Sequence, residues 1–407
     1  PSLTQDEFDV VAEWFARGVP LLDDTLPLDP PPDTCTPGIS SEVAAHVTAM
    51  RQSGWRAVNR ANAMAMYGCG AAADPRDCMA TQPLAADQPY GAGWEVPGQG
   101  RIRVLHDATY ATAYWTRSSP DGRFVAHGVD TVAGAYVIDL QRDVVVPIAA
   151  EYDPAFFPDG SGFAFQGANR NLCAMSVLTS NPSSVSMTED GCTRIITLEQ
   201  YEHLGRILGG GDFFGLDGQF VTDDGGKVPT FDDPATSFTS GSQASFTPMI
   251  FTGTTFSARP RVRVPTPFEG DFVLSPSATL VISRVAGPSD TQLGYVLRRV
   301  DATASGSTYT IEAPEIARYC LSGGKPAFSF DERWIVFHHY DAAGLANLYL
   351  MDLQTGMPVR ITNMAPGQYA LYPHFRSDGW IYAQVRDLGT GHEYTIASDA
   401  ALLAEQL

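Results

Sequence analysis

The stretch RSSPDGRFVAHG, residues 117–128, joins a tight polar turn to a strand-like run, and the chain rewrites it several times. Clear relatives are AFFPDGSGFAFQG at 155–167, AFSFDERWIVF at 327–337 and HFRSDGWIYAQ at 374–384. Looser copies are FFGLDGQFV at 213–221 and VLSPSATLVIS at 273–283. With turn residues at Asp121, Asp159, Asp217, Ser277, Asp331 and Asp378, the period is about 40 to 60 residues, the range of propeller blades with loop insertions. Each copy has a local logic. Pro fixes φ, Asp caps its own turn, and Gly takes the positive φ of a tight hairpin. A third strand follows in AYVIDL (135–140), YVLRRV (295–300) and NLYLMDL (347–353), and a fourth in VVVPIA or PVRITN. Four antiparallel strands make one blade.

Two columns support the alignment. Three residues before the turn stand Ser118, Phe156, Phe214, Leu274, Phe328 and Phe375, nearly all large and apolar, as packing between neighbouring blades requires. One residue later stand Ser119, Phe157, Gly215, Ser275, Ser329 and Arg376, mostly small or polar, so the two faces of the inner strand differ. The expected fold is all-β: a six-bladed β-propeller of four-stranded antiparallel blades over residues 100–407, with a small N-terminal α-helical extension. The last unit runs short of a strand, and GRIRVLHD at 100–107 is available to pair near residues 393–397 and close the ring.

An aromatic, S-P-D-G, an apolar strand and then NLYLMDLQTGMPVRIT (347–362) together resemble TolB-like, WD-repeat-like β-propellers. The resemblance covers about residues 100–400. It implies a periplasmic or secreted interaction platform and says little about the partner.

Ahead of the ring, residues 1–25 contain an amphipathic helix with Thr4 as N-cap and Phe8, Val11, Trp14 and Phe15 at helical spacing. This stretch resembles the closing helix of class I c-type cytochromes. The haem-binding C-x-x-C-H is absent, so no haem ligand carries over and haem c is unsupported within the chain. Residues 26–38 are a Pro-rich linker, and residues 39–99 a helical extension with a turn-rich loop.

Composition bounds the function. The 407 residues carry a formal charge of −20, which disfavours nucleic acid and anionic lipid as partners. No apolar run approaches the roughly 18 residues of a membrane span. The chain opens at Pro1 without an initiator Met or signal peptide, which suits processing or a truncated sequence. Six spread cysteines suit disulfides in an oxidising compartment, periplasmic or extracellular. Cys173 with Cys192 can staple an excursion in unit two and Cys69 with Cys78 a short loop, which leaves Cys35 and Cys320 to pair or stay free.

Catalytic motifs are missing: no G-x-S-x-G, H-E-x-x-H or Walker loop occurs. His338 and His339 are adjacent on a strand, point to opposite faces and cannot easily share a metal. TDDGGK (222–227) lacks the alternate ligands of a calcium loop. One constellation remains six residues before each turn: Trp115, Asp153, Gly211, Asp271, Lys325 and Tyr372. With nearby His374, this column should line one mouth of the central channel and grip a peptide end or a cation, a structural cation included. The expected function is an exported, non-enzymatic protein-binding or assembly module. Two alternatives stay open: an electron-transfer subunit whose propeller follows or docks a c-type cytochrome, and a channel-mouth hydrolase or lyase.

Overall fold

The computed structural model describes residues 34–53, 93–108, 114–119, 121–128, 136–142, 144–147, 155–156, 162–165, 171–174, 192–194, 204–207, 212–217, 242–251, 256–287 and 292–406, with Pro32, Ala61, Ala65, Cys69, Gly70, Arg76, Leu178 and Phe238. The expected helix in residues 1–25 and its cytochrome likeness, Asp153, Cys78 and the 222–227 loop lie outside them.

Antiparallel strands dominate, and they fall into successive units along the chain. The first holds Tyr114–Ser118, Phe124–Gly128, Tyr136–Asp139 and Val144–Pro147, hydrogen-bonded in that order. The second holds Ala155–Phe156, Gly162–Phe165, Asn171–Ala174 and Cys192–Arg194. The third begins at Leu204–Ile207, continues through Asp212–Asp217 and Gln243–Phe251, and ends in Phe256–Ala258 and Val262–Pro265, which both pair with Gln243–Phe251. The fourth is Glu269–Leu274, Leu280–Ala286, Gln292–Arg299 and Glu315–Tyr319, with a small hairpin, Asp301–Ser305 and Thr308–Glu312, inserted before its last strand. The fifth is Gly324–Phe328, Trp334–Tyr340, Ala346–Asp352 and Pro358–Arg360.

The last unit takes Gln368–Phe375, Ile381–Asp387 and His392–Ser398 from the C-terminal part of the chain and Ile102–Ala108 from before the first unit. Ile102 lies opposite Ser398 and Ala108 opposite Glu393, which is the expected clasp. The innermost strand of each unit packs against that of the next, from Tyr114–Ser118 round to Gln368–Phe375, which returns to Tyr114–Ser118. This cyclic succession makes the fold a β-propeller. Among the described residues no sheet closes on itself; the ring closes by packing and by the clasp.

The repeated turns show why these residues build these hairpins. Ser119, Ser275 and Ser329 each accept an N–H through Oγ, from Phe124, Leu280 and Trp334, every one at 3.0 Å. Ser119 and Ser329 also donate to the turn aspartates Asp121 (2.5 Å) and Asp331 (2.6 Å). The polar column thus clamps the turn. In the last unit Arg376 replaces the serine. It is fully buried and donates through Nε to Asp378 at 2.6 Å, and through Nη1 to the Tyr382 hydroxyl at 2.8 Å. The residue after the turn position is left-handed in the four turns where it is described: Gly122 (φ 74°), Gly379 (φ 102°), and also Ala278 (φ 61°) and Glu332 (φ 53°), where a side chain tolerates the strain.

The apolar column is buried wherever its side chains are described: Phe156, Leu274, Phe328 and Phe375. Ser118, the exception in sequence, is buried too, and its hydroxyl donates to the Phe375 carbonyl of the neighbouring unit at 3.4 Å. Core clusters accordingly lie between adjacent sheets, one shared by units four and five around Phe328 and another by units one and six around Trp380.

The third unit corrects the alignment. Its innermost strand is Leu204–Ile207, which packs on the innermost strands of units two and four. FFGLDG belongs to the second strand, so Asp217 ends that strand instead of turning out of the inner one, and Phe214 leaves its column; Gly211 lies outside the described residues.

N-terminal residues brace the ring. Gly38–Ile39 adds a fifth strand at the outer edge of unit four, and Cys35 forms a disulfide with Cys320 at the end of that unit. The helix Ser41–Gln52 starts at Ser40, whose Oγ accepts from Glu42 N at 3.1 Å, and buries Val43 and Val47. His46 Nε2 lies 2.7 Å from Glu332 Oε2, and the same buried carboxylate accepts from Ser277 N at 2.5 Å and Ser277 Oγ at 2.9 Å. One acid therefore ties the helix to the turns of units four and five. At the other terminus, buried Asp399 receives Arg101 Nε at 2.8 Å and Arg76 Nε at 2.9 Å and precedes the helix Ala400–Gln406.

Cys69 is disulfide-bonded. Cys173 and Cys192 face each other directly in the cross-strand register. A bridge between them would close a loop of about 20 residues, worth roughly 3 kcal/mol. Non-reducing peptide mapping should recover these two cysteines in one joined fragment, whereas two free thiols would rule the staple out.

Candidate functional site

The column six residues before the turn falls on a recurring irregularity. In units one, four, five and six the ladder between the first two strands slips where Trp115, Asp271, Lys325 and Tyr372 stand. Asp271, Lys325 and Tyr372 share a left-handed φ of 53°, 51° and 50°. An extra residue in one strand bends it and re-aims the side chain, so a bulge at each inner strand is a device for turning one residue out of the regular pleat. Strain of this kind persists only where the surroundings over-determine it. Of Trp115 the backbone position is described. His374 is buried opposite Tyr382, two residues past the bulge.

Two of these column residues meet directly. Lys325 Nζ donates to Asp271 Oδ1 at 3.1 Å, across the boundary of units four and five. Arg284, from the second strand of unit four, pairs with Asp271 Oδ2. Burial pushes the Asp271 carboxyl up, but Lys325 and Arg284 overcome that and hold it below the usual carboxylate range. The Phe238 ring lies 5.2 Å from the Arg284 guanidinium. The ring passes so close to Gly270 that any Cβ there would collide with it.

Tyr372 joins through His338. Its N–H donates to His338 Nδ1 at 3.4 Å, and the two rings stand edge to face at 5.5 Å. Burial, with Lys325 and Arg284 nearby, pushes His338 down to about 3, so it is neutral at physiological pH and its Nδ1 is the acceptor. Gly324 makes room for this ring: a Cβ would lie 2.6 Å from His338 Nε2. Tyr340, half-exposed, stacks edge-on against His338 at 5.8 Å, and the Arg386 guanidinium sits 5.8 Å from the Tyr372 ring while pairing with Glu393 at 3.0 Å. His339 points the other way and meets Ser322 Oγ at 3.2 Å. Among the described residues no three His, Cys, Asp or Glu side chains group as metal ligands.

The likenesses to solved structures are distant. Across 72% of this chain and 99% of that one, it is similar to the β-propeller domain of Cps50 (Swd1) from Myceliophteria thermophila, at 12% identity and a TM-score of 0.43. TolB from Acinetobacter baumannii aligns over 65% of this chain and 57% of its own, at 14% identity and a TM-score of 0.38. An oligogalacturonate lyase in complex with manganese aligns over 76% and 96%, at 12% identity and a TM-score of 0.44. No family model and no curated protein matches the chain. The propeller architecture rests on the strand pairing and the cyclic packing described above.

Of the residues expected in the column, Asp271 and Lys325 pair and Tyr372 touches His338; Arg284 was not singled out in the sequence, and His338 was considered there only as a metal ligand with His339. Both sit on second strands, outside the inner-strand column. A lone charged residue in the mostly apolar run LVISRVA (280–286) is the signal that would have found the first. Among the described residues no helix is long and apolar enough to cross a membrane.

Proposed function

We propose that the chain is an exported protein-binding propeller that docks its partner at the mouth built by Asp271, Arg284, Lys325, His338 and Tyr372. The observation that carries the reading is the convergence of charged and aromatic side chains from three successive units on one partly buried locus. Charges held in such surroundings interact more strongly than on an open face, and partners anchor in pockets of this kind. The Cys35–Cys320 disulfide supports the oxidising compartment that export implies.

The test is a comparison of variants against a captured partner. Lys325→Met should weaken binding by about 2 kcal/mol or more, roughly thirtyfold in Kd, because it strips a charge from the centre of the contact. Arg360→Ala, on an exposed outer strand, should leave the affinity within twofold. Equal affinities for the two variants, with matching thermal melts, would move docking away from the mouth.

A further inference from the structure

The outer edges of the sheets are covered by different means. The outer strand of unit three, Val262–Pro265, packs against Thr308–Glu312 of the hairpin inserted in unit four, which belongs to the ring itself. The outer strand of unit four, Glu315–Tyr319, is covered by Gly38–Ile39 from the N-terminal arm. That cover is slight. It is two residues long, both are exposed, and Pro37 before it has no N–H to offer. Gly38 lies opposite Arg318 and Ile39 opposite Ala317, and one further bond runs from Ser40 N to the Ile316 carbonyl at 2.9 Å. So short and exposed a pairing opens easily unless it is tethered. The tether is the Cys35–Cys320 bridge, which sits just ahead of Gly38 and just after Tyr319. Cys320 is exposed and Cys35 half-buried, and bridges that thiolates can reach are the labile, regulatory ones. Past Ser40 the arm has anchors of its own: Val43 and Val47 are buried, His46 meets Glu332, and Glu42 pairs with Arg299. The bridge therefore governs the strip from Cys35 to Ile39 and not the helix.

We propose that the Cys35–Cys320 bridge is a redox latch that sets whether the N-terminal arm covers the outer edge of unit four. A dithiol reductase opens it by exchange. Its thiolate attacks the exposed Cys320 sulfur, the S–S bond breaks, and Cys35 leaves as a thiolate that takes up a proton. The second thiol of the reductase then displaces Cys320, so the protein gains two electrons and two protons and the reductase becomes a disulfide. With the tether gone, Gly38–Ile39 lifts from Glu315–Tyr319 while the helix Ser41–Gln52 stays docked. The edge is left with unpaired backbone groups, a template with which an extended segment can pair. In an oxidising compartment the latch is closed by default, so the covered edge is the resting state. Neither the bridge nor the edge uses a residue of the mouth.

The experiment blocks any free thiols of the folded full chain with iodoacetamide, adds dithiothreitol, and labels the thiols released with N-ethylmaleimide. Cys35 and Cys320 should be labelled before any other bridged cysteine. At the point where only these two are open, native-state hydrogen exchange at Gly38–Ile39 and Glu315–Tyr319 should be at least tenfold faster than in the oxidised chain. Exchange in Ser41–Gln52 and His392–Ser398 should stay as it was. Cys320→Ser should reproduce the open state without reductant, and reoxidation of an unlabelled reduced sample should restore slow exchange. If the variant fails to fold, the reduction and reoxidation of the unmodified chain still decide. Unchanged exchange after reduction would make the bridge a bystander. Faster exchange throughout, His392–Ser398 included, would make it a staple of the whole fold, and resistance to dithiothreitol until the fold is lost would make it inaccessible. Each of these three results overturns the latch.

Discussion

Truncating Phe328 to alanine is expected to cost about 3–5 kcal/mol, a large share of the stability of an ordinary domain. The ring is fully buried where units four and five meet, packed with Val273, Ile282 and Tyr295 on one side and Ile335, Phe337 and Met351 on the other. Removing it opens a cavity that neither sheet can fill without giving up its own ladder. Chemical denaturation should show the loss as a lowered midpoint with an unchanged slope. Val359→Ala, on the exposed outer strand of unit five, should change stability by less than about 0.5 kcal/mol. A loss below about 1 kcal/mol for Phe328→Ala would mean that the two sheets do not share this core.

Acid should destabilise the fold well above the carboxylate range. His127 and His338 are both buried, and burial pushes each down to about 3; His106 adds to the effect at His127, and Lys325 and Arg284 add to it at His338. In the unfolded chain both take a proton near 6.5. Between about pH 6.5 and 3 the unfolded state therefore binds more protons, and stability falls as the pH drops through that window. The slope is about 1.4 kcal/mol per pH unit for each histidine. Asp271 acts in the same direction only below its unfolded value near 3.8, because its folded pKa is depressed and its contribution is lost as pH falls through that lower value. From pH 6 to pH 4 the histidines dominate. His127→Gln should flatten the stability–pH slope over that range by close to half, since Gln keeps a partner for Thr395, which lies 3.0 Å from His127 Nε2. An unchanged slope would mean that His127 titrates normally and is not sealed at the junction of units one and six.

Legibility followed the physics of each element. The turns were readable because the clamp needs a specific local chemistry: a serine two residues before an aspartate, with a left-handed residue after it. Unit three misled because LGGGDFFGLDG holds two glycine signals, and the second, at Asp217–Gly218, imitates the clamp without the serine. The clasp of Ile102–Ala108 could be read because an unfinished blade needs an edge partner. Asp271, Lys325 and Tyr372 were found as a column because the bulge occurs at the same distance from each turn. Their contacts with Arg284 and His338 were not readable. They depend on how the second strands slip past those bulges, and no local pattern encodes that offset. The Cys35–Cys320 bridge joins residues 285 apart, and spacing alone left it open.

The clasp carries the account, because the ring closes only if unit six is completed from the front of the chain. Native-state hydrogen exchange on the amides of Ile102–Ala108 measures it directly. The account predicts that these amides exchange as slowly as their partners in His392–Ser398, at the rate of global unfolding. Fast exchange at 102–108 beside a protected 392–398 would contradict it, leaving an open ring.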